Sequence, residues 1–198
     1  MILFATKYSY FPQDAFTSNP SLIPGGYARV KAGSSRKARQ IYAKVGQSDL
    51  VSVSQNVAMD QIMRDNLKVQ TSSPVTIEMA HGLPHAHQFT VAPFKEDVEV
   101  IQPDGDLDQY LMTEYLKPYF SPGEGSDSAA ISLNQVFTPG NTAAKVSFKV
   151  IGIEPKHDVE TDPTGAKAKK MNGAIVSPEH LDKLFIADPV QVIYIYSF

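Results

Sequence analysis

The sequence predicts a mostly-β protein made of small β-barrels with one or two short helices. Short runs of alternating, β-branched or aromatic residues recur along the chain, at 27–30, 38–45, 50–53, 75–79, 89–91, 98–101, 145–153, 174–176 and 190–196. Turn formers separate them, most clearly Ser34-Ser35, Gly46-Gln47-Ser48-Asp49 and Pro139-Gly140-Asn141. Helical periodicity is confined to two stretches. A parallel α/β sheet would alternate strands with longer helices, so closely spaced short strands favour barrels.

Taken in order, Tyr27–Val30 and Ala38–Val45 are the first strand candidates, followed by Leu50–Val53. The segment 56–67 then changes period. Met59, Ile62, Met63 and Leu67 fall at i, i+3, i+4 and i+8, the stripe of a half-buried helix, with Ser54 or Asn56 as its cap. Val75-Thr76-Ile77-Glu78-Met79 alternates cleanly, and Phe89–Val91 and Val98–Ile101 read as two further strands. Leu107, Leu111, Tyr115 and Leu116 give a second helical stripe over 106–119. Asp104 or Asp106 is placed to cap it, and Pro118 must stop or bend it. The strands at 145–153, 174–176 and 190–196 complete the chain. Pro93-Phe94 followed by Lys95-Glu96-Asp97 marks a boundary, dividing the chain into subdomains 1–95 and 96–198. Two polar, Gly-, Pro- or charge-rich stretches, 121–129 and 156–170, read as loops.

Composition narrows the function classes. A chain of 198 residues can bury a sizeable core. Its net charge of −3 lacks the clustered basic face that nucleic acid binding requires, and Arg36-Lys37-Ala38-Arg39 is too short to supply one. With no cysteine, disulfides, thiolate metal sites and cysteine nucleophiles are excluded. No apolar run approaches the ~20 residues of a membrane-spanning helix, and residues 1–7 lack a secretory signal's charged start and long apolar core. The expectation is a cytoplasmic protein without membrane insertion.

Individual motifs carry little chemistry. His81, His85 and His87 in HGLPHAH are candidate zinc ligands, with His85 and His87 on one face of a strand and Glu78 nearby. Gly82-Leu83-Pro84 makes a polar hairpin turn the favoured reading, and His157 and His180 stand apart from them. The acidic run 157–162 lacks the spacing of a calcium loop. There is no Gly-x-Ser-x-Gly elbow. Pro163-Thr164-Gly165-Ala166-Lys167 has the wrong ending for a phosphate loop, and Pro122-Gly123-Glu124-Gly125 has no lysine. The chain is therefore expected to be neither an enzyme nor a cofactor binder.

The most specific stretch is Tyr115-Leu116-Lys117-Pro118-Tyr119-Phe120, ahead of Val146-Ser147-Phe148-Lys149-Val150. Before it come Gly25-Gly26-Tyr27-Ala28-Arg29-Val30-Lys31-Ala32-Gly33, Arg64-Asp65-Asn66-Leu67-Lys68-Val69 and Phe89-Thr90-Val91-Ala92-Pro93-Phe94. After it come Phe148–Ile151 and Gly173-Ala174-Ile175-Val176-Ser177-Pro178. In this order, from about Ile23 to Leu181, the pieces resemble the amino-terminal adaptor-binding domain of the valosin-containing protein (transitional endoplasmic reticulum ATPase) family. The chain departs from the family at Ser72-Ser73-Pro74 and at Ser121-Pro122-Gly123-Glu124.

The resemblance implies a double-psi β-barrel followed by a smaller β-barrel. It also implies a groove between them that receives UBX-type domains and Arg-rich helical adaptor peptides of the ubiquitin pathway. The groove positions it implies here are Ile23, Ala43, Val45 and His85, with Glu124 in place of an aromatic wall residue. It further implies an AAA ATPase ring as partner, in the same polypeptide or in trans. Two alternatives share parts of the architecture: a ubiquitin-fusion-degradation-type two-barrel adaptor, and a small double-psi barrel enzyme. The Asp-Thr/Ser-Gly turn of the barrel proteases is absent, and Gly33-Ser34 and Gly125-Ser126 lie in contexts unlike the decarboxylase cleavage site.

Overall fold

The computed structural model describes residues 14–17, 22–23, 25–33, 38–47, 57–101, 103, 105–121, 128–140, 144–155 and 171–190. The fold is mostly β, with 41% of these residues in strands. The first sheet has the order β4-β1-β3-β2-β5, from β1 (Asp14–Thr17), β2 (Tyr27–Ala32), β3 (Arg39–Gln47), β4 (Val57–Ala58) and β5 (Val75–Met79). In the second, the order is β11-β6-β9-β8, from β6 (Ala86–Pro93), β8 (Val136–Phe137), β9 (Phe148–Pro155) and β11 (Leu184–Ile186). Between them lies an antiparallel ribbon of β7 (Ala129–Ser132) and β10 (Gly173–Val176). Among the described residues no sheet closes into a barrel, and no helix is long and apolar enough to cross a membrane.

Alternation dictates the first sheet. Ala28 and Val30 on β2, and Ile41, Ala43 and Val45 on β3, all point to one buried face. The opposite face of β5 leaves Thr76 and Glu78 exposed. The helix α1 (Gln61–Leu67) covers this face with Met63 and Leu67, joined by Met59 from just before it. The helix is shorter than the predicted 56–67 because Val57 and Ala58 pair with β1 instead. Its cap is accordingly Asp60, whose carboxylate accepts from the Met63 N–H at 2.6 Å, and neither Ser54 nor Asn56. Lys68 ends it in the left-handed region at φ 57°, with the Val69 N–H reaching the Arg64 carbonyl at 3.0 Å. The buried Arg64 guanidinium folds back to donate to the Met59 carbonyl at 2.8 Å and to Gln61.

The larger core belongs to the second sheet. Its centre is a run of aromatic rings: Tyr115, Phe120, Phe137 and Phe148, with Phe89 from β6. Phe89 meets Phe120 edge-on at 5.4 Å, and Phe137 stacks on Phe148 at 5.6 Å. The 107–120 segment is one helical rod in three parts: α3 (Leu107–Leu111), a π-helical turn (Met112–Leu116) and α4 (Lys117–Phe120). Asp106 caps it, as one of the two predicted aspartates, accepting from the Asp108 N–H at 2.8 Å. Pro118 explains the π turn. It has no N–H for a bond to the preceding turn, and its ring would strike that turn's carbonyl. The wider turn, closed by the Lys117 N–H on the Met112 carbonyl, opens the backbone there. Residues five apart then align, so Leu111, Tyr115, Leu116 and Phe120 are all buried.

One strand reading changes. Val98–Ile101 is not a strand: α2 (Lys95–Val98) occupies its start, with the Val98 N–H on the Phe94 carbonyl at 3.2 Å. Its apolar residues fit either period, and the short helix buries Val98 while leaving Val100 74% exposed. The predicted boundary at residue 95 lies just beyond β6, which ladders with β9 and β11 in the second sheet. The two larger sheets divide between β5 and β6. The candidates at 50–53 and 191–196 lie outside the described residues, whereas Val190 bridges Phe94.

Leu116→Ala should lower unfolding free energy by about 2–5 kcal/mol, because the side chain is fully buried and its removal leaves a cavity. Chemical denaturation measures this, and an unchanged midpoint would place Leu116 at the surface.

Asp60 gives a second expectation. Burial raises its carboxyl above the usual value of 3.8, against the opposing pull of the Met63 N–H. The folded state thus holds that proton more tightly than the unfolded chain, and wild-type stability from this group falls as pH rises from 3.8 through the raised value. Asp60→Asn keeps an acceptor at the cap and should gain on wild type across that window. Asp60→Ala should lose about 0.5–2 kcal/mol. Urea titrations at several pH values separate the two effects.

Candidate functional site

The two sheets meet along a seam built around the β7–β10 ribbon. On β3, residues 44–47 pair with β1, so the strand's edge is open at Tyr42. The Tyr42 N–H donates there to the Ser132 hydroxyl at 2.7 Å, and the Tyr42 ring lies over Gly173, which pairs with Ser132 across the ribbon. A Cβ on Gly173 would stand 2.1 Å from the ring's Cδ2 and 2.9 Å from the Ile131 carbonyl. Only glycine leaves space for that ring. Ser132 is itself held by the buried Gln135, whose carboxamide oxygen accepts the Ser132 N–H at 2.8 Å.

At the ribbon's other end, the Tyr27 hydroxyl donates to the Ser128 carbonyl at 3.0 Å. The Ser128 and Ser177 hydroxyls are 3.0 Å apart, and Ser177 Oγ lies 3.3 Å from Nδ1 of His85. His85 itself bridges Ile175, and the Ile175 N–H donates to the Pro84 carbonyl at 2.8 Å. A polar chain therefore runs from the first sheet through the ribbon to the exposed imidazole at the start of β6. A hydroxyl against an imidazole is the pair found in nucleophilic catalysis. Here, however, Ser177 is buried and its hydroxyl is shared with Ser128, which suits anchoring the seam.

Ile23, four residues before Tyr27, is 60% exposed. Leu22 beside it is buried with Val45 and Ala28. The Ile23–Gly26 turn is hooked to β3: Gly25 N–H donates to the Val45 carbonyl at 2.8 Å, and Val45 N–H to the Gly26 carbonyl at 2.7 Å. Gly25 adopts φ +79°, which glycine alone tolerates easily. The turn leads directly into Tyr27 at the start of β2.

The five implied groove positions separate accordingly. Ile23 and His85 are exposed. Ala43 and Val45 are core residues, 0% and 2% exposed, packed under α1 and against Leu22 respectively. They offer a partner no surface, because alternation on β3 turns both inward. Glu124 lies outside the described residues, as do His157 and the acidic run 157–162. Tyr27, Tyr42, Ser128, Ser132 and Ser177 were not singled out from sequence; nothing local marks a serine that is polar only to its tertiary neighbours.

Among the described residues no three His, Asp or Glu side chains are placed to hold a metal. Glu78 is engaged by Arg29 across β5 and β2. The Arg29 hydrogen bond holds the Glu78 carboxyl below its usual value, aided by Lys31, and Glu78 in turn raises Arg29. This exposed pair is a charged patch of modest energy.

Gly173→Ala should cost about 1–3 kcal/mol or more by driving a methyl into the Tyr42 ring. Gly173→Ala combined with Tyr42→Ala should recover part of that loss. A double-mutant cycle by thermal denaturation reads the coupling, and purely additive effects would contradict the close approach.

No protein-family model matches this chain, and no curated protein matches it either.

Proposed function

We propose that this chain is a non-catalytic adaptor-binding module of the valosin-containing ATPase type, which recruits ubiquitin-pathway adaptors at the seam between two β-barrel-like halves. The single observation that carries this reading is the exposed flank at the seam. There the Tyr27–Ser128–Ser177–His85 chain ends on an exposed imidazole, and the turn that precedes Tyr27 exposes Ile23. An apolar anchor beside polar groups of fixed geometry suits recognition of a protein surface, where a few side chains carry most of the affinity. The ordered motifs from Gly25 to Pro178, above all YLKPYF, support the family. The mostly-β architecture agrees with the family at the level of fold class alone, since no sheet among the described residues closes into a barrel.

In this reading Ile23 fills an aliphatic pocket on a UBX-type domain or packs against the apolar face of an Arg-rich helix. His85 contributes from the other side of the polar chain. The ATPase ring, in the same polypeptide or in trans, supplies the energy of ATP hydrolysis. The setting proposed for this recruitment is the cytoplasm.

Ile23→Asp is the informative substitution, because the side chain is already solvated and the variant should fold. It should weaken binding of a labelled UBX domain by about tenfold or more, about 1.4 kcal/mol. Val45→Asp would test the core instead, since it buries a carboxylate. Fluorescence anisotropy measures affinity and circular dichroism checks folding. Equal binding by folded Ile23→Asp removes the flank as the docking site. Failure of the wild type to bind either a UBX domain or an Arg-rich helical peptide overturns the adaptor reading.

A further inference from the structure

We infer that Asn66 acts as a surrogate β-strand for Val136, sealing one edge of the second sheet and locking α1 of the first sheet onto it. The strand β8 is an edge strand, paired on one side only with β9. Next to it, the Gln135 carbonyl accepts from the Val150 N–H at 2.9 Å, so Gln135 faces into the sheet and Val136, one residue on, faces out. Both outward backbone groups of Val136 end on one side chain. The Asn66 carboxamide oxygen accepts the Val136 N–H at 2.7 Å, and its NH2 donates to the Val136 carbonyl at 2.7 Å.

That is the donor–acceptor pair a neighbouring strand would offer, supplied by a helix. The second NH2 hydrogen donates to the Ile62 carbonyl at 3.0 Å, which orients the carboxamide from within its own helix. Asparagine is the one residue of this length with both an acceptor and two donors. Aspartate lacks the donor, and leucine lacks both groups. An open edge is a template for strand addition by another chain, and the carboxamide occupies it. The inference stands apart from the adaptor reading and requires no ligand.

The test compares wild type, Asn66→Ala and Asn66→Asp as full chains. Residue-resolved amide exchange should show Val136 protected in wild type and faster by about tenfold or more in Asn66→Ala. Val150, bonded inside the sheet, should keep its protection. Sedimentation of folded Asn66→Ala should show self-association that wild type lacks.

Asn66→Asp covers the case in which the alanine variant does not fold. Its carboxylate accepts from the Val136 N–H but faces the Val136 carbonyl, so only the protonated form can donate. Folding should raise its pKa above about 3.9, and the variant should gain stability relative to wild type as pH falls through that window. Slow Val136 exchange in Asn66→Ala, or an Asn66→Asp variant with the pH profile of wild type, overturns the backbone pairing. Folded Asn66→Ala that stays monomeric at every accessible concentration overturns the sealing role.

Discussion

The placement of the Tyr42 ring against Gly173 is the constraint on which the two halves of this protein depend. The contact leaves no room for a Cβ, so β10 can approach β3 only at that glycine. The Ser132 hydroxyl then accepts from the Tyr42 N–H, on the part of β3 beyond its pairing with β1. Because Ser132 and Gly173 are partners across the ribbon, one contact sets the position of both ribbon strands. Continuing the same register brings Ser128 opposite Ser177 at the far end, where Tyr27 reaches Ser128. Tyr27 and Tyr42 stand on neighbouring strands, two residues out of register, and each grips one end of the ribbon. The candidate site is a consequence of that grip, since it is the solvent-facing end of the same arrangement.

The ribbon also answers to the larger core. Ile131, Ala174 and Val176 pack among the aromatic rings of the second sheet while Ser132 and Gly173 face the first. Its position therefore depends on the rod at 107–120, and through it on Pro118. A regular α-helix across that proline would lose a backbone bond and meet a clash. The π turn relieves the clash and turns Tyr115 and Leu116 inward together, which the aromatic cluster requires. The motif that makes the family resemblance specific is thus also the segment that places the second core. Packing alone gives a sufficient reason for YLKPYF, and its identity as a core element is distinct from any role at the seam.

Much of the architecture was legible from local chemistry. Strict alternation over Val75–Met79 matched β5 at both ends, and the β2, β3, β9 and β10 strands fell within a few residues of their predicted spans. Capping chemistry located Asp106, while α1 took a cap four residues later than Asn56 because a strand pairing consumed the residues between. The strands β1, β4, β7, β8 and β11 went unpredicted. Each is four residues or shorter, too brief for a periodic signal to form. At 98–101 the apolar positions satisfied two periods at once, and only the neighbouring bonds to Phe94 and Lys95 chose the helix.

What the sequence by itself determined is the set of inward and outward faces, because alternation and helical spacing are properties of consecutive residues. It marked Val75–Met79 as an alternating strand and Leu107, Leu111, Tyr115 and Leu116 as one helical face. Only the tertiary structure decided what those faces meet. An inward residue on β3 can line a groove or fill a core, and the packing of α1 and Leu22 put Ala43 and Val45 in the core. The seam is likewise invisible along the chain: Tyr27 with Ser128, Tyr42 with Ser132, and Asn66 with Val136 are separated by 70 residues or more. Hydrogen bonds of that span have no local pattern, since any serine or asparagine could form them. They exist because sheet packing brings particular backbone groups within 3 Å of particular side chains.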